Sequence, residues 1–131
     1  FDYGLQEKLV EDLARIKALG IKLNLLFNAN CYGEDAMSKA LEGKVCSIID
    51  YLDQKGLCPD SVTTTSPAIA HMIKERYEDA IELTASVNMK IGSVKGMQYV
   101  AHLFDNYCVA KECNRDIPRL KAMKEWALQF L

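Results

Sequence analysis

The sequence has no apolar run approaching the roughly 20 residues that cross a bilayer, and no charged-then-apolar segment opens it. The expectation is therefore a protein without a membrane partner. It also lacks a surplus of either charge: 16 basic against 18 acidic residues leave a formal net charge of −2. That balance argues against a protein dedicated to coating nucleic acid or lying on a membrane surface. The C-x-x-C spacing of a zinc knuckle is missing too. The five cysteines, Cys31, Cys46, Cys58, Cys108 and Cys113, are odd in number and irregularly spaced. They suit a reducing, cytoplasmic compartment better than a disulfide scaffold. With only His71 and His102 to add, no four-ligand zinc set is legible, and no metal or cofactor site is expected within this chain.

What is present fits one soluble domain. The 131 residues are 50% hydrophobic and 26% charged, and a chain of this length buries roughly two-thirds of its unfolded surface. There is no linker and no low-complexity run, so residues 1–131 read as a single unit. The start at Phe1 rather than Met reads as a piece of a longer protein or a processed product.

Helical and strand signals alternate along the chain. Leu5, Leu9, Leu13, Ile16 and Leu19 recur at steps of four and three, a helix ended by Gly20. Residues 21–27 form an apolar run expected to be a strand buried on both faces. Met37, Leu41, Val45, Ile48 and Leu52 mark a second helix closing at Lys55 and Gly56. Residues 61–65 are β-branched and short, a second strand. Ser66 then suits a helix cap and Pro67 the first helical position, with Ile69, Met72, Ile73 and Tyr77 facing inward.

A third strand, residues 81–87, alternates strictly: Ile81, Leu83, Ala85 and Val87 on one face, Glu82, Thr84 and Ser86 on the other. A helix from about Ser93 turns Met97, Val100, Ala101 and Phe104 inward. Residues 107–111 read as the fourth strand. Leu120, Met123, Ala127 and Phe130 stripe a last helix.

Repeated βα units imply an α/β fold with a parallel sheet, because parallel neighbours need a crossover. An open doubly wound sheet competes with an arc of an eight-stranded barrel. The polar column Glu82, Thr84 and Ser86, with Asn88 beyond it, favours the barrel, whose strands turn one face to a lumen. The fold expected is a partial TIM-type barrel of four strands and about five helices. Four strands cannot close, so the other half must come from more chain or from a homo-oligomer partner.

In such a fold the site lies outside the carboxyl ends of the strands. That rule selects Asn28, Asn30 and Cys31 after the first strand, Thr64 after the second, and Ser86 and Asn88 after the third. Lys111, Asn114, Arg115 and Asp116 follow the fourth. Amide, hydroxyl and cationic groups suit a polar or anionic small molecule or a nucleobase better than an apolar ligand. Asp116, ahead of Ile117 and Pro118, also reads as a helix cap. Thr64 through Ser66 read equally as strand propensity plus a cap. Cys31 has no His or carboxylate placed by sequence to activate it. Cys46 and Cys108 read as small core residues, His71 and His102 as structural or solvent-facing, and Tyr51, Tyr77 and Tyr99 as packing residues. Gly92 and Gly96 do not form a phosphate cradle.

Three stretches, KLNLLFNANC, DSVTTTSPAIAHMIKERYEDAIELTASVNMKIGSV and FDNYCVAKECNRDIPRLKAMKEW, together resemble the collagenase-like peptidase family, peptidase family U32. The resemblance rests on an Asn-rich turn after the first strand, a Ser-Pro helix leading to a Ser-Val-Asn strand end, and an Asn-Arg-Asp step into the last helix. It covers roughly residues 8–128. It implies a (βα) barrel of which this chain is a stretch, acting as a peptidase or, as in other relatives, as an iron–sulfur-dependent hydroxylase of RNA bases or quinone precursors. The cluster cysteines of such relatives would follow Leu131, so any iron–sulfur cluster belongs to the full-length protein. Carried over residue by residue, Asn28, Ser86, Asn88, Asn114, Arg115 and Asp116 line the barrel mouth. Two further readings stand beside it. One is a non-catalytic half-barrel module that self-associates through its open edges. The other is an aldolase-like barrel fragment, which lacks a strand-end Lys between acidic groups; Lys111 beside Glu112 comes nearest.

Overall fold

The computed structural model describes residues 2–130. Asp2 caps α1 (Tyr3–Ala18), accepting from the Gly4 and Leu5 amides, and Gly20 leaves the helix with φ +78°. β1 (Asn24–Phe27) leads through a 3-10 turn (Gly33–Met37) into α2 (Lys39–Gln54), capped by Ser38. β2 (Ser61–Thr64) is followed by α3 (Pro67–Tyr77), where the Ser66 hydroxyl accepts from the Ile69 amide at 3.2 Å and Pro67 opens the helix. β3 (Glu82–Ala85), α4 (Val94–Val100), β4 (Asn106–Tyr107) and α5 (Ile117–Leu128) complete the order. Short 3-10 turns at Val87–Met89 and Lys111–Cys113 follow β3 and β4.

The strands pair in parallel in the order β1-β2-β3-β4. This rules out the doubly wound alternative, in which the order reverses and helices cover both faces. Steps in one direction, with crossovers of one hand, put the helices on a single face. Burial agrees with that. Val62, Leu83 and Ala85 are fully buried against Ile49 of α2 and Ile69 and Ile73 of α3, with Met97 and Met123 closing the far side. In register, Asn24, Ser61 and Glu82 form one layer of the opposite face, and Leu26, Thr63, Thr84 and Asn106 the next. The Asn24 side-chain amide donates to Thr63 Oγ1 at 3.1 Å across that face. The result is the expected arc of parallel βα units, four strands and five helices.

Two carboxylates peg the strand starts. Asp60 accepts from the Leu23 amide at 2.7 Å and Asp105 from the Leu83 amide at 2.8 Å, each joining the entry of one strand to its neighbour. On the outer layer Asp50 of α2 accepts from the Tyr77 hydroxyl and from Arg76, both at 2.6 Å. The Tyr77 hydrogen bond, with Arg76 beside it, holds the Asp50 carboxyl below its ordinary value against the opposing effect of burial. Burial and that same bond push the Tyr77 hydroxyl well above its own ordinary value. The pair clamps α2 to α3.

Several expectations are corrected. β1 begins at Asn24 rather than residue 21 and is not buried on both faces: Leu26 is 56% exposed and Leu25 and Phe27 half-buried. An apolar run signals burial on both faces only where helices cover both, and here one face is bare. The α1 stripe lies open, with no residue of the helix buried. In α2 the inward residues are Val45, Cys46 and Ile49, while Met37 falls in the preceding 3-10 turn and Ile48 faces out. β3 ends at Ala85, so the alternation breaks there: Ser86 is buried and Val87 exposed. β4 is shorter and earlier than residues 107–111, which leaves Cys108 exposed rather than in the core. Ala101, Tyr99 and Phe130 are also exposed.

Candidate functional site

The carboxyl ends of the first three strands are stitched together by their own side chains. Thr64, fully buried, donates its hydroxyl to the Phe27 carbonyl at 2.8 Å and accepts from the Ser66 amide at 3.0 Å. Thr65 donates to the Ala29 carbonyl at 2.5 Å. The Ser86 amide reaches the Thr64 carbonyl at 3.0 Å, and its hydroxyl accepts from the Asn88 amide at 3.2 Å, capping the 3-10 turn. The Asn88 side-chain amide then spans to the Asn28 carbonyl at 3.3 Å. Asn28, Thr64, Ser86 and Asn88 are thus brought together, with the Thr64 hydroxyl and the buried Ser86 taken up in holding the loops. Asn30, Cys31 and Asn88 remain exposed on the rim. Cys31 Sγ accepts from the Gly33 amide at 3.2 Å.

The β4 end is built differently. The Ala110 amide donates to the Ile91 carbonyl at 2.7 Å, tying this loop to the one after β3. Gly92 is pressed against Cys113: a Cβ there would lie 3.2 Å from the sulfur, whose thiol is 3.7 Å from the Gly92 carbonyl. Lys111, Asn114 and Arg115 are exposed. Asp116 is half-buried and serves as the α5 cap, accepting from the Arg119 amide at 3.2 Å and pairing with its guanidinium at 3.0 Å. Lys90 stands in a left-handed conformation, φ 55°, at the end of the β3 turn.

This rim can bind polar groups. Side-chain amides and cations offer donors to carbonyl, carboxylate or phosphate oxygens. Neither histidine stands beside a rim thiol or hydroxyl: His71 is 3.3 Å from Glu75 on α3, and His102 follows α4. Among the described residues no three His, Cys, Asp or Glu side chains converge as metal ligands. Cys46 and Cys113 are buried in α2 and below the β4 loop, while Cys31 and Cys108 sit on separate strand ends. Among the described residues the cysteines do not converge into the ligand set of an iron–sulfur cluster.

Sequence reasoning passed over Tyr32. It sits in the loop after β1 yet packs on the core, its hydroxyl buried without a hydrogen-bond partner. A single aromatic in a polar loop was the only available signal.

A consecutive, all-parallel sheet with one helix-covered face and a polar rim at its carboxyl ends defines an arc of a (βα) barrel. Among solved structures, that of the U32 peptidase Mk0906 has the same fold as this chain, with a TM-score of 0.75 at 21% identity. The likeness covers 88% of this chain and 47% of that one, so the chain spans about half the length of its structural neighbour. No protein-family model and no curated protein matches the sequence.

Proposed function

We propose that this chain is the substrate-binding arc of a collagenase-like peptidase-family barrel, completed by a second half that supplies the reacting groups. The observation that carries the reading is the stitched carboxyl rim on a fold shared with a U32 peptidase. The amides of Asn30 and Asn114 and the cations of Lys111 and Arg115 face solvent there, ready for the carbonyls of an extended peptide, with Asn88 beside them bridging to Asn28. Asn28, Thr64 and Ser86 position the loops, Asp116 fixes the α5 start, and Cys31 lies at the rim edge. Five unpaired cysteines, two of them exposed, suit a reducing cytoplasmic compartment.

The test uses the longest natural form of the protein, purified without oxygen, with fluorogenic gelatin as the peptide substrate. Hydrolysis that falls by about tenfold or more in Arg115→Ala, with unchanged melting, supports the reading; an exposed side chain that binds substrate costs function rather than stability. Absence of hydrolysis, together with stoichiometric iron and acid-labile sulfide, overturns the peptidase reading in favour of a hydroxylase acting on RNA or a quinone precursor. Equal hydrolysis by the variant removes Arg115 from the site.

A further inference from the structure

The rim at the carboxyl ends of the strands carries opposite charge at its two ends. The loop after β1 holds Glu34 and Asp35 in its 3-10 turn and no Lys or Arg before Lys39, which is bound to Glu42 at 2.8 Å. Across the sheet, the loops after β3 and β4 hold Lys90, Lys111 and Arg115. The carboxylates beside these cations are Glu112 and Asp116, and Asp116 is taken up by Arg119 at 3.0 Å. Glu34, Asp35, Lys90, Lys111 and Arg115 are all exposed, and among the described residues none of the five makes an ion pair. Lys90 and Lys111 flank one hydrogen bond, from the Ala110 amide to the Ile91 carbonyl at 2.7 Å, so the two loops present their cations together. Lys90 stands at φ 55° and ψ 40°, a conformation that glycine adopts without strain. What lysine adds over glycine at that position is its charge, and local backbone cost of this kind collects at binding sites.

We propose that the rim orients its substrate by charge: Lys90, Lys111 and Arg115 hold a carboxylate over the β3 and β4 ends, and Glu34 and Asp35 hold an ammonium or guanidinium beyond β1. The inference rests on the peptide-binding part of the function proposed above and narrows its substrate to peptides carrying both signs. The strand order sets the distance between the two charges. Neighbouring strands lie about 4.8 Å apart, so three steps from β1 to β4 separate the two ends of the rim by about 14 Å. An extended chain advances about 3.3 Å per residue, so the two charged groups stand about four residues apart. A polyanion such as RNA matches only the β4 end and meets like charge at Glu34 and Asp35. A peptide with opposite charges at that spacing matches both ends.

The test is a calorimetric titration of the longest natural form of the protein at low salt. The probe is an acetylated, amidated pentapeptide with arginine first, glutamate last, and alanine and glycine between. Replacing either charged residue of the probe by glutamine is expected to weaken binding about threefold, as exposed charge pairs are worth. The difference should vanish in 1 M salt, where screening acts within about 3 Å. Lys90→Gly combined with Lys111→Gln should remove the preference for glutamate, while Lys90→Gly alone melts no lower than the parent. A preference for glutamate that survives the double substitution overturns the cationic subsite. Pentaalanine with free termini identifies the source of the charges: binding as tight as the capped probe supports chain termini, and weaker binding supports side chains. A short oligouridylate that binds more tightly than the probe overturns the choice of a peptide. Equal affinity for charged and uncharged probes, with gelatin hydrolysis still sensitive to Arg115→Ala, overturns this inference and leaves the proposed function standing. Charge-dependent binding without hydrolysis removes the peptidase reading and leaves this inference standing.

Discussion

The two faces of the sheet obey different rules. Toward the helices, Val62, Thr64, Leu83 and Ala85 are sealed from water, and their neighbours on α2 and α3 are isoleucines with no exposed surface. Toward the open side, the same strands present Asn24, Leu26, Ser61, Thr63, Glu82, Thr84 and Asn106, of which only Leu26 is a large hydrophobic, while Thr63 is buried and bonds to the Asn24 side chain. A hydroxyl on the covered face must find a partner, and Thr64 has two. On the bare face water satisfies what the protein does not. The covered face holds the fold, and the open one leaves most of its polar groups to water.

Substitutions on each side sharpen the contrast. Leu83→Ala removes a fully buried side chain from the middle of the covered face and is expected to cost about 2–5 kcal/mol in urea denaturation. Thr64→Val keeps the shape but strands the Ser66 amide and weakens the hold on Phe27, a loss of about 1–3 kcal/mol by the same measurement. Tyr32→Phe deletes a buried hydroxyl that has no partner, and the variant should melt higher, by a gain of about 1 kcal/mol. Leu26→Thr, on the open face, should change stability by no more than about 0.5 kcal/mol in this chain. A loss at Leu26 as large as that at Leu83 would mean the open face is covered in solution and would break the comparison.

Much of the covered side was legible. Ile69, Ile73, Leu83 and Met97 follow from periodicity, the Ser66 cap from residue type next to Pro67, and the Asp116 cap from residue type two positions before Pro118. The open side was harder because amphipathicity shows that a face wants cover without showing whether cover is there. Leu5 and Leu9 of α1, with Leu19 just after it, make a proper stripe and are exposed. Strand lengths were overread for a related reason. Residues 107–111 look apolar, yet the register with β3 pairs only Asn106 and Tyr107, and its last bond runs from the Cys108 amide to the Ala85 carbonyl at 2.9 Å. At the rim, strand ends picked out the loops, but residue type could not say which hydroxyls are taken up internally. Thr64 and Ser86 bond within the protein, whereas Asn30 and Arg115 stay open.

The consecutive strand order has a consequence for how the molecule is made. Each strand docks on the one synthesised just before it, so every edge needed for pairing already exists when the next βα unit leaves the ribosome. Within these four strands the sheet grows in one direction, as a staircase is laid tread by tread. The growing edge at any moment is the last strand made, shielded by its own following helix until the next strand arrives.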